Sequence, residues 1–371
     1  MDSFILLREN NMNKRFRFLM LMQVLMLVLA PAACKFVPTP PPGVPLPPPT
    51  ETPVPKIGSP GHPIKMLFSP SADANAIITG SRIMAEAFSA ATALTFEVSL
   101  PTSQATAIEA MCASPADTIG FLPGLSYVLA NRMCGVEVAF KAIRSGYDVF
   151  WTEILIPRHS DIDSLDDLNG KKWGYGDPGS ISDYLVPLVM FNEAGVKPGE
   201  QVQISGHGKS VQALYNGEVD FVTTFYSPPT DVNSGDTVWS EEAYDIPDGL
   251  VESCAVTSDG GEIVCGSLNV RDARAIIRAS APDVIQKLRI LAISPDIPND
   301  TLSFSPKFPT DLRAQIEAAL VAFTRSAAWG QSIGSQDFYN WSGIAPAKDA
   351  EYDIIRTMVE TTWPELGTPE P

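Results

Sequence analysis

The chain has 371 residues, 45% of them apolar, which is enough for one large or two medium domains with real cores. Its 43 Asp and Glu against 26 Lys and Arg leave a net charge of −17, and beyond the N-terminus the basic residues do not cluster. That balance argues against nucleic acid, whose phosphates call for a basic stripe. It leaves room for a small anion, which a nest of N–H dipoles binds whatever the net charge.

Lys14, Arg15 and Arg17 precede an apolar run over 18–30, and Ala32-Ala33-Cys34 follows. A charged start, an apolar stretch and small residues before a cleavage point predict an export signal over 1–33. Cys34 after two alanines resembles the lipidated cysteine of bacterial lipoproteins, so the expectation is a chain anchored to the outer face of the cytoplasmic membrane. An uncleaved single-span anchor is the alternative, although the run is shorter than the roughly 20 residues a spanning helix needs. Over 34–62, Pro with Thr, Val and Gly predicts an extended stalk, with the fold starting near Pro63. Four further cysteines in an exported chain predict disulfides, Cys112 with Cys134 and Cys254 with Cys265 by proximity. Without C-x-x-C spacing, and with His62, His159 and His207 the three histidines, no metal site is expected.

Apolar runs at 64–68, 94–100 and 118–122 read as strands, and the periodicity over 76–88, 105–111 and from 125 onwards reads as helices. Such alternation predicts a parallel, doubly wound sheet whose ligand lies beyond the carboxyl ends of the strands. The run 148–157 is extended, and Ser164 opens one helical turn. A short strand at 172–175 then enters Asp177-Pro178-Gly179-Ser180-Ile181-Ser182-Asp183-Tyr184, followed by a helical run over 184–191 that stops near Gly195. Strand, tight turn and Ser at a helix start describe an anion cradle, because the first N–H groups of a helix lack partners at the positive end of its dipole. Ser180 and Ser182 can cap that helix and add hydroxyl donors, and a capped surface helix fits the same residues.

Strand, glycine loop and helix recur at 202–204, Ser205-Gly206-His207-Gly208 and 210–215, ahead of a strand over 219–225. His207 is then either a surface loop residue or a donor to the cradle. Residues 228–266, rich in Pro, Asp, Ser and Gly, read as an insertion. Helical patterns at 273–279 and 282–288, a strand at 288–293, a stiff connection over 295–300 and helices at 311–326 and 351–362 close the chain. Gly174-x-Gly176-x-x-Gly179 formally matches a dinucleotide fingerprint, but its strand is short and Asp177-Pro178 fills the inner positions. Ser180 lacks the G-x-S-x-G setting of a nucleophile elbow, and no cofactor or enzymatic chemistry is expected.

Three ordered motifs carry a resemblance. Asp177-Pro178-Gly179-Ser180-Ile181-Ser182-Asp183-Tyr184-Leu185-Val186-Pro187 is similar to the pattern D-P-x-S-T-S-G-[YF]-L-V-P; His207 is followed by Ala213-Leu214-x-Asn216-Gly217-Glu218-Val219-Asp220; and Ser294-Pro295-x-Ile297-Pro298-Asn299-Asp300 comes third. On these the chain, over about 64–355, resembles the solute-binding proteins of phosphate, phosphite and phosphonate ABC importers. The resemblance implies an α/β clamshell of the type 2 periplasmic-binding-protein kind, each lobe a doubly wound sheet flanked by helices, joined by two crossing strands. Lobe 1 would be 63–152 plus 296–350, lobe 2 would be 153–295 with an insertion at about 228–268, and 351–371 a C-terminal helix and tail.

The resemblance implies that Ser180, Ser182 and His207 hold the oxyanion and that Asp300 meets the other end of the ligand. This chain departs from the pattern at several of these places. Ile181 replaces a Thr hydroxyl, and Asp183 replaces Gly with a carboxylate that would repel a dianion if it faced inward. Gln104 and Phe150 stand at positions of ligand-facing tyrosines, and Ser227 stands where an acidic residue can meet an amine. The implied function is capture of a small oxyanion by a monomer without cofactor or metal, and delivery to a permease with its ATPase. A sensory module for a membrane receptor, or an enzyme on the same fold, is the alternative.

Overall fold

The computed structural model describes residues 55–70, 74–204, 206–238 and 243–363. The expected signal, Cys34 and most of the stalk lie outside the described residues. Strands β1 (Ile64–Phe68), β2 (Phe96–Ser99), β3 (Thr118–Leu122) and β4 (Glu137–Ile143) open a first sheet. The chain crosses on β5 (Val149–Pro157) to a second, built with β6 (Trp173–Tyr175), β7 (Gln201–Gln203) and β8 (Phe221–Tyr226). Four short strands, β9 (Thr230–Asp231), β10 (Ala255–Val256), β11 (Ile263–Cys265) and β12 (Leu268–Asn269), form a small antiparallel sheet where the insertion is expected. Then β13 (Leu288–Ile293) completes the second sheet and β14 (Ile297–Pro298) lies on the way back. Finally β15 (Thr301–Phe304) and β16 (Gly343–Pro346) complete the first. The orders are β16-β4-β15-β3-β1-β2 and β13-β5-β8-β6-β7, with β14 paired to β5.

The sheets are mixed rather than wholly parallel. Pairs β1–β2, β1–β3, β6–β7 and β6–β8 are parallel and follow helical crossovers. The strands that carry the chain between sheets, β5 and β15, enter without such a crossover and pair antiparallel with β8 and β3. Both faces of each sheet are covered, and the period-2 pleat assigns side chains to them. From β1, Ile64, Met66 and Phe68 meet Phe88, Phe121 and Trp341, while Leu67 points the other way to Ile108 and Leu122. From β5, Trp151 and Leu155 face one core and Ile154 and Ile156 the other.

The C-terminal helix, Asp353–Thr362, is part of the fold rather than a separate tail. Its Ile355, Met358 and Val359 pack with Leu185, Val186 and Val189 near the second sheet and with Tyr127 and Val128 against the first. The fold also starts upstream of Pro63: Ile57 packs on the first core, and His62 Nε2 meets Asp117 at 2.8 Å. Cys112–Cys134 joins the helices Gln104–Ala113 and Gly124–Cys134, and Cys254–Cys265 closes the β10–β11 hairpin.

Candidate functional site

The cradle begins where β6 ends. Asp177 Oδ1 accepts from Gly179 N at 2.7 Å, and Ser180 is an extended N-cap whose Oγ accepts from Asp183 N at 3.2 Å. The first turn, Ile181–Leu185, is wide, with Leu185 N reaching Ser180 O at 3.0 Å. An α-helix, Val186–Ala194, continues from it and ends at Gly195 in the left-handed region. The wide turn and a glycine opposite it decide where Asp183 goes. A Cβ on Gly176 would lie 2.1 Å from Asp183 Oδ2, so the carboxylate folds back into space that a side chain at 176 would take.

Asp183 is 5% exposed. Its Oδ1 accepts from Ser182 Oγ at 3.1 Å and lies 3.0 Å from His207 Nδ1, which also sits 2.8 Å from Thr224 Oγ1. A carboxylate accepts only, so Nδ1 carries the imidazole proton toward it. The main-chain carbonyls of Ser182 and Asp183 accept from Thr152 Oγ1 and Thr223 Oγ1 on adjoining strands. His207 is the first residue of the helix His207–Tyr215, not a loop residue, and its ring stands edge-on to Phe225 at 4.9 Å. Ser182 and His207, implied as oxyanion donors, thus converge on a carboxylate of this chain. Asp183 in place of glycine is the physical reason.

A cleft of about 590 Å³ opens beside the crossing strands. Phe150 from β5, Ile181, Ser227 and Asp300 line it, and so do Tyr147 and Arg271. Ser180, Ser182, His207 and Gln104 are not on this wall. Gln104 sits past the carboxyl ends of β1 and β3, where its Oε1 accepts from Ser69 Oγ at 2.6 Å and Ser126 Oγ at 2.8 Å. Asp300 is paired with Arg144 at 2.5 Å, and Arg144 Nε also donates to Tyr339 O. Asn299 Nδ2 donates to Ala142 O and Tyr147 O and so ties the two crossings together. Tyr352 hydroxyl donates to Asn299 O, and burial pushes that phenol well up.

Among the described residues the charged side chains on the wall are Arg144, Arg271 and Asp300, two cations and one anion, in a chain of net charge −17. Among the described residues Arg271 has no carboxylate partner, and the buried Tyr147 hydroxyl has no hydrogen-bond partner. Sequence reasoning missed Arg144, Tyr147 and Arg271, which belong to no motif. Arg144 and Tyr147 flank the tight turn before β5, and Arg271 follows the small sheet of the insertion.

The chain is 25% identical over 283 residues to a phosphate-import protein, PhnD, of Mycolicibacterium smegmatis, covering 70% of this chain and 73% of that one. The fold resembles that of Xanthomonas citri XAC2383, with a TM-score of 0.53, 10% identity, and coverage of 80% and 96% of the two chains. A binding-protein component of an ABC phosphonate transporter from Pseudomonas aeruginosa matches at TM-score 0.45 and 17% identity, over 81% of this chain and 89% of that one. Residues 66–352 match the sequence model of the family described as "ABC transporter, phosphonate, periplasmic substrate-binding protein", and the chain belongs to that family of solute-binding proteins.

Proposed function

We propose that this protein is the extracytoplasmic receptor of an ABC importer, tethered through lipid on Cys34, that captures a small oxyanion in the cleft and hands it to a permease. The observation that carries this reading is the composition of the cleft. Its walls come from the crossing strand, from the helix start at Ile181 and from the connection at Asp300, and among the described residues they hold one more cation than anion. A ligand touching all of these segments favours the arrangement that brings them together, and a permease reads that arrangement. The lobe boundaries near Thr152 and Pro295 belong to the same reading. Asp300, neutralised by Arg144, orients the ligand without requiring it to carry an amine, in keeping with Ser227 where an acidic partner would stand.

The test is a thermal-shift panel on the full chain in detergent, with phosphate, methylphosphonate, sulfonates and carboxylates. At least one oxyanion raises the melting temperature, because binding to the folded state alone stabilises it. Phe150→Ala, which removes a ring from the wall, lowers that shift. A panel without any shift, or a shift untouched by Phe150→Ala, would remove the cleft as the capture site. Labelled palmitate appearing in the chain and lost in Cys34→Ser checks the anchor.

A further inference from the structure

We infer that Asp183 is a resident anion filling the oxyanion nest, and that the solute is an organic monoanion whose charged end rests on Arg271 while its apolar body lies along the aromatic wall of the cleft. The inference rests on the reading of the cleft as the capture site and names the ligand class for it.

The nest is occupied by covalent structure. Ser182 Oγ and His207 Nδ1 both point at Asp183 Oδ1, at 3.1 and 3.0 Å, and Asp177 and Ser180 take the N–H groups of Gly179 and Asp183. An incoming phosphonate dianion would have to displace a carboxylate held by its own backbone, against like-charge repulsion. Gly176 makes room for that carboxylate, so the arrangement is built by two positions in the turn.

The cleft wall is the opposite case. Arg271 lines it with no carboxylate partner among the described residues, while the other cation, Arg144, is already paired with Asp300. One guanidinium without a carboxylate partner among the described residues matches one negative charge, and its planar fork suits a carboxylate or sulfonate. The Tyr147 hydroxyl is buried on the same wall with no partner among the described residues, and a buried donor of that kind is costly unless a ligand atom meets it. Around these groups stand Phe150, Trp151, Phe225 and Tyr226, with Tyr147 edge-on to Trp151 at 5.2 Å. A volume of about 590 Å³ falls in the range of roughly 300–1,000 Å³ typical of sites for larger organic ligands. Such a wall rewards an apolar body that phosphate and methylphosphonate lack.

The experiment uses the full chain in detergent with phosphate, methylphosphonate, hexanoate, benzoate and benzenesulfonate as probes, read by thermal shift and calorimetry. A carboxylate or sulfonate probe binds, and the two arms show which head group is preferred; phosphate and methylphosphonate do not bind. Arg271→Gln weakens the bound probe at least about tenfold, the scale of one lost charge-assisted contact, without moving the melting temperature of the unliganded protein. Tyr147→Phe weakens it about threefold. Asp183→Gly, which empties the nest, gains a methylphosphonate shift; if that variant does not fold, Asp183→Ala carries the same expectation. Phosphate or methylphosphonate bound by the unaltered chain and lost in His207→Ala would overturn the inference and leave the receptor reading standing. So would a monoanion bound equally well by Arg271→Gln, or a folded nest variant that gains no methylphosphonate binding. Failure of every probe would overturn both.

Discussion

Two carboxylates are buried close to each other around the second sheet, Asp183 at 5% and Glu153 at 0% exposure, and their surroundings are opposite. Asp183 has a hydroxyl and an imidazole directed at one oxygen. Neither oxygen of Glu153 has a side-chain hydrogen-bond donor among the described residues, and the main-chain N–H of Ala273 only partly offsets the cost of its charge. The nearby cation, Arg274, is held at 2.9 Å by Asp272 and at 2.7 Å by Asp245. Burial first, then the charge of Asp272, pushes the Glu153 carboxyl well above the ordinary range, with Arg274 offsetting only part. The two regions meet at Thr224, which pairs with Glu153 across the β5–β8 ladder and whose hydroxyl contacts His207. Depth of burial therefore does not separate them; donors do. A carboxylate supplied with donors is held in place in the nest, and one without side-chain donors is pushed toward its neutral form.

The largest expected effect comes from breaking the supplied pair. His207→Ala leaves Asp183 buried with one hydroxyl. Losing a hydrogen bond to a charged group costs about 1.5–3 kcal/mol, and the imidazole is a third exposed, so a loss of about 2 kcal/mol is expected in urea unfolding. Arg271→Gln should change the same measurement by less than about 0.5 kcal/mol, as expected for an exposed side chain without a carboxylate partner among the described residues. Equal unfolding midpoints for the two variants would mean that the nest is not closed by this pair.

Glu153→Gln tests the other side, through pH. The folded-state pKa of Glu153 lies above its unfolded value of about 4.3, so its stabilising contribution is complete below that value and is lost as pH rises through the folded value. An amide of the same shape has no proton to lose. Glu153→Gln should therefore melt higher than the parent at about pH 8, with a smaller difference at about pH 5. A difference independent of pH would show that Glu153 finds a partner when folded.

This contrast also marks what the sequence could reveal. The turn around Ser180, the strands β1, β3 and β13 and both disulfides follow from local pattern, and Ser164 caps its turn with Asp167 as its spacing suggests. Strands β4, β15 and β16 escaped notice because buried polar groups interrupt their pattern or because they are short. Lys141 in β4 reaches Asp148 and Glu351, and Ser303 in β15 is fully buried. Strand direction is not written in periodicity, so the mixed sheets were not legible either. An acidic residue in a first helical turn reads as a favourable surface charge; only the wide turn and Gly176 bring Asp183 inward. Arg271 and Tyr147 are brought to one cleft by tertiary structure alone.

A third carboxylate sharpens the comparison from the surface, and it has the smallest expected effect. Asp117 is met by His62 Nε2 at 2.8 Å, the same chemistry as Asp183 with His207; the two imidazoles are equally open, but the Asp117 side chain is 13% exposed against 7% for Asp183, so solvent screens this pair more. The hydrogen bond to Asp117, then that to Pro55 O, raises the His62 pKa above 6.5. Its contribution is complete below 6.5 and is lost as pH rises through the folded value. His62→Asn should lower stability by no more than about 1 kcal/mol near pH 6, less near pH 9, and less again in high salt. If His62→Asn and His207→Ala show the same salt sensitivity, Asp183 is as open to water as Asp117, and the nest is then free to receive an external anion after all.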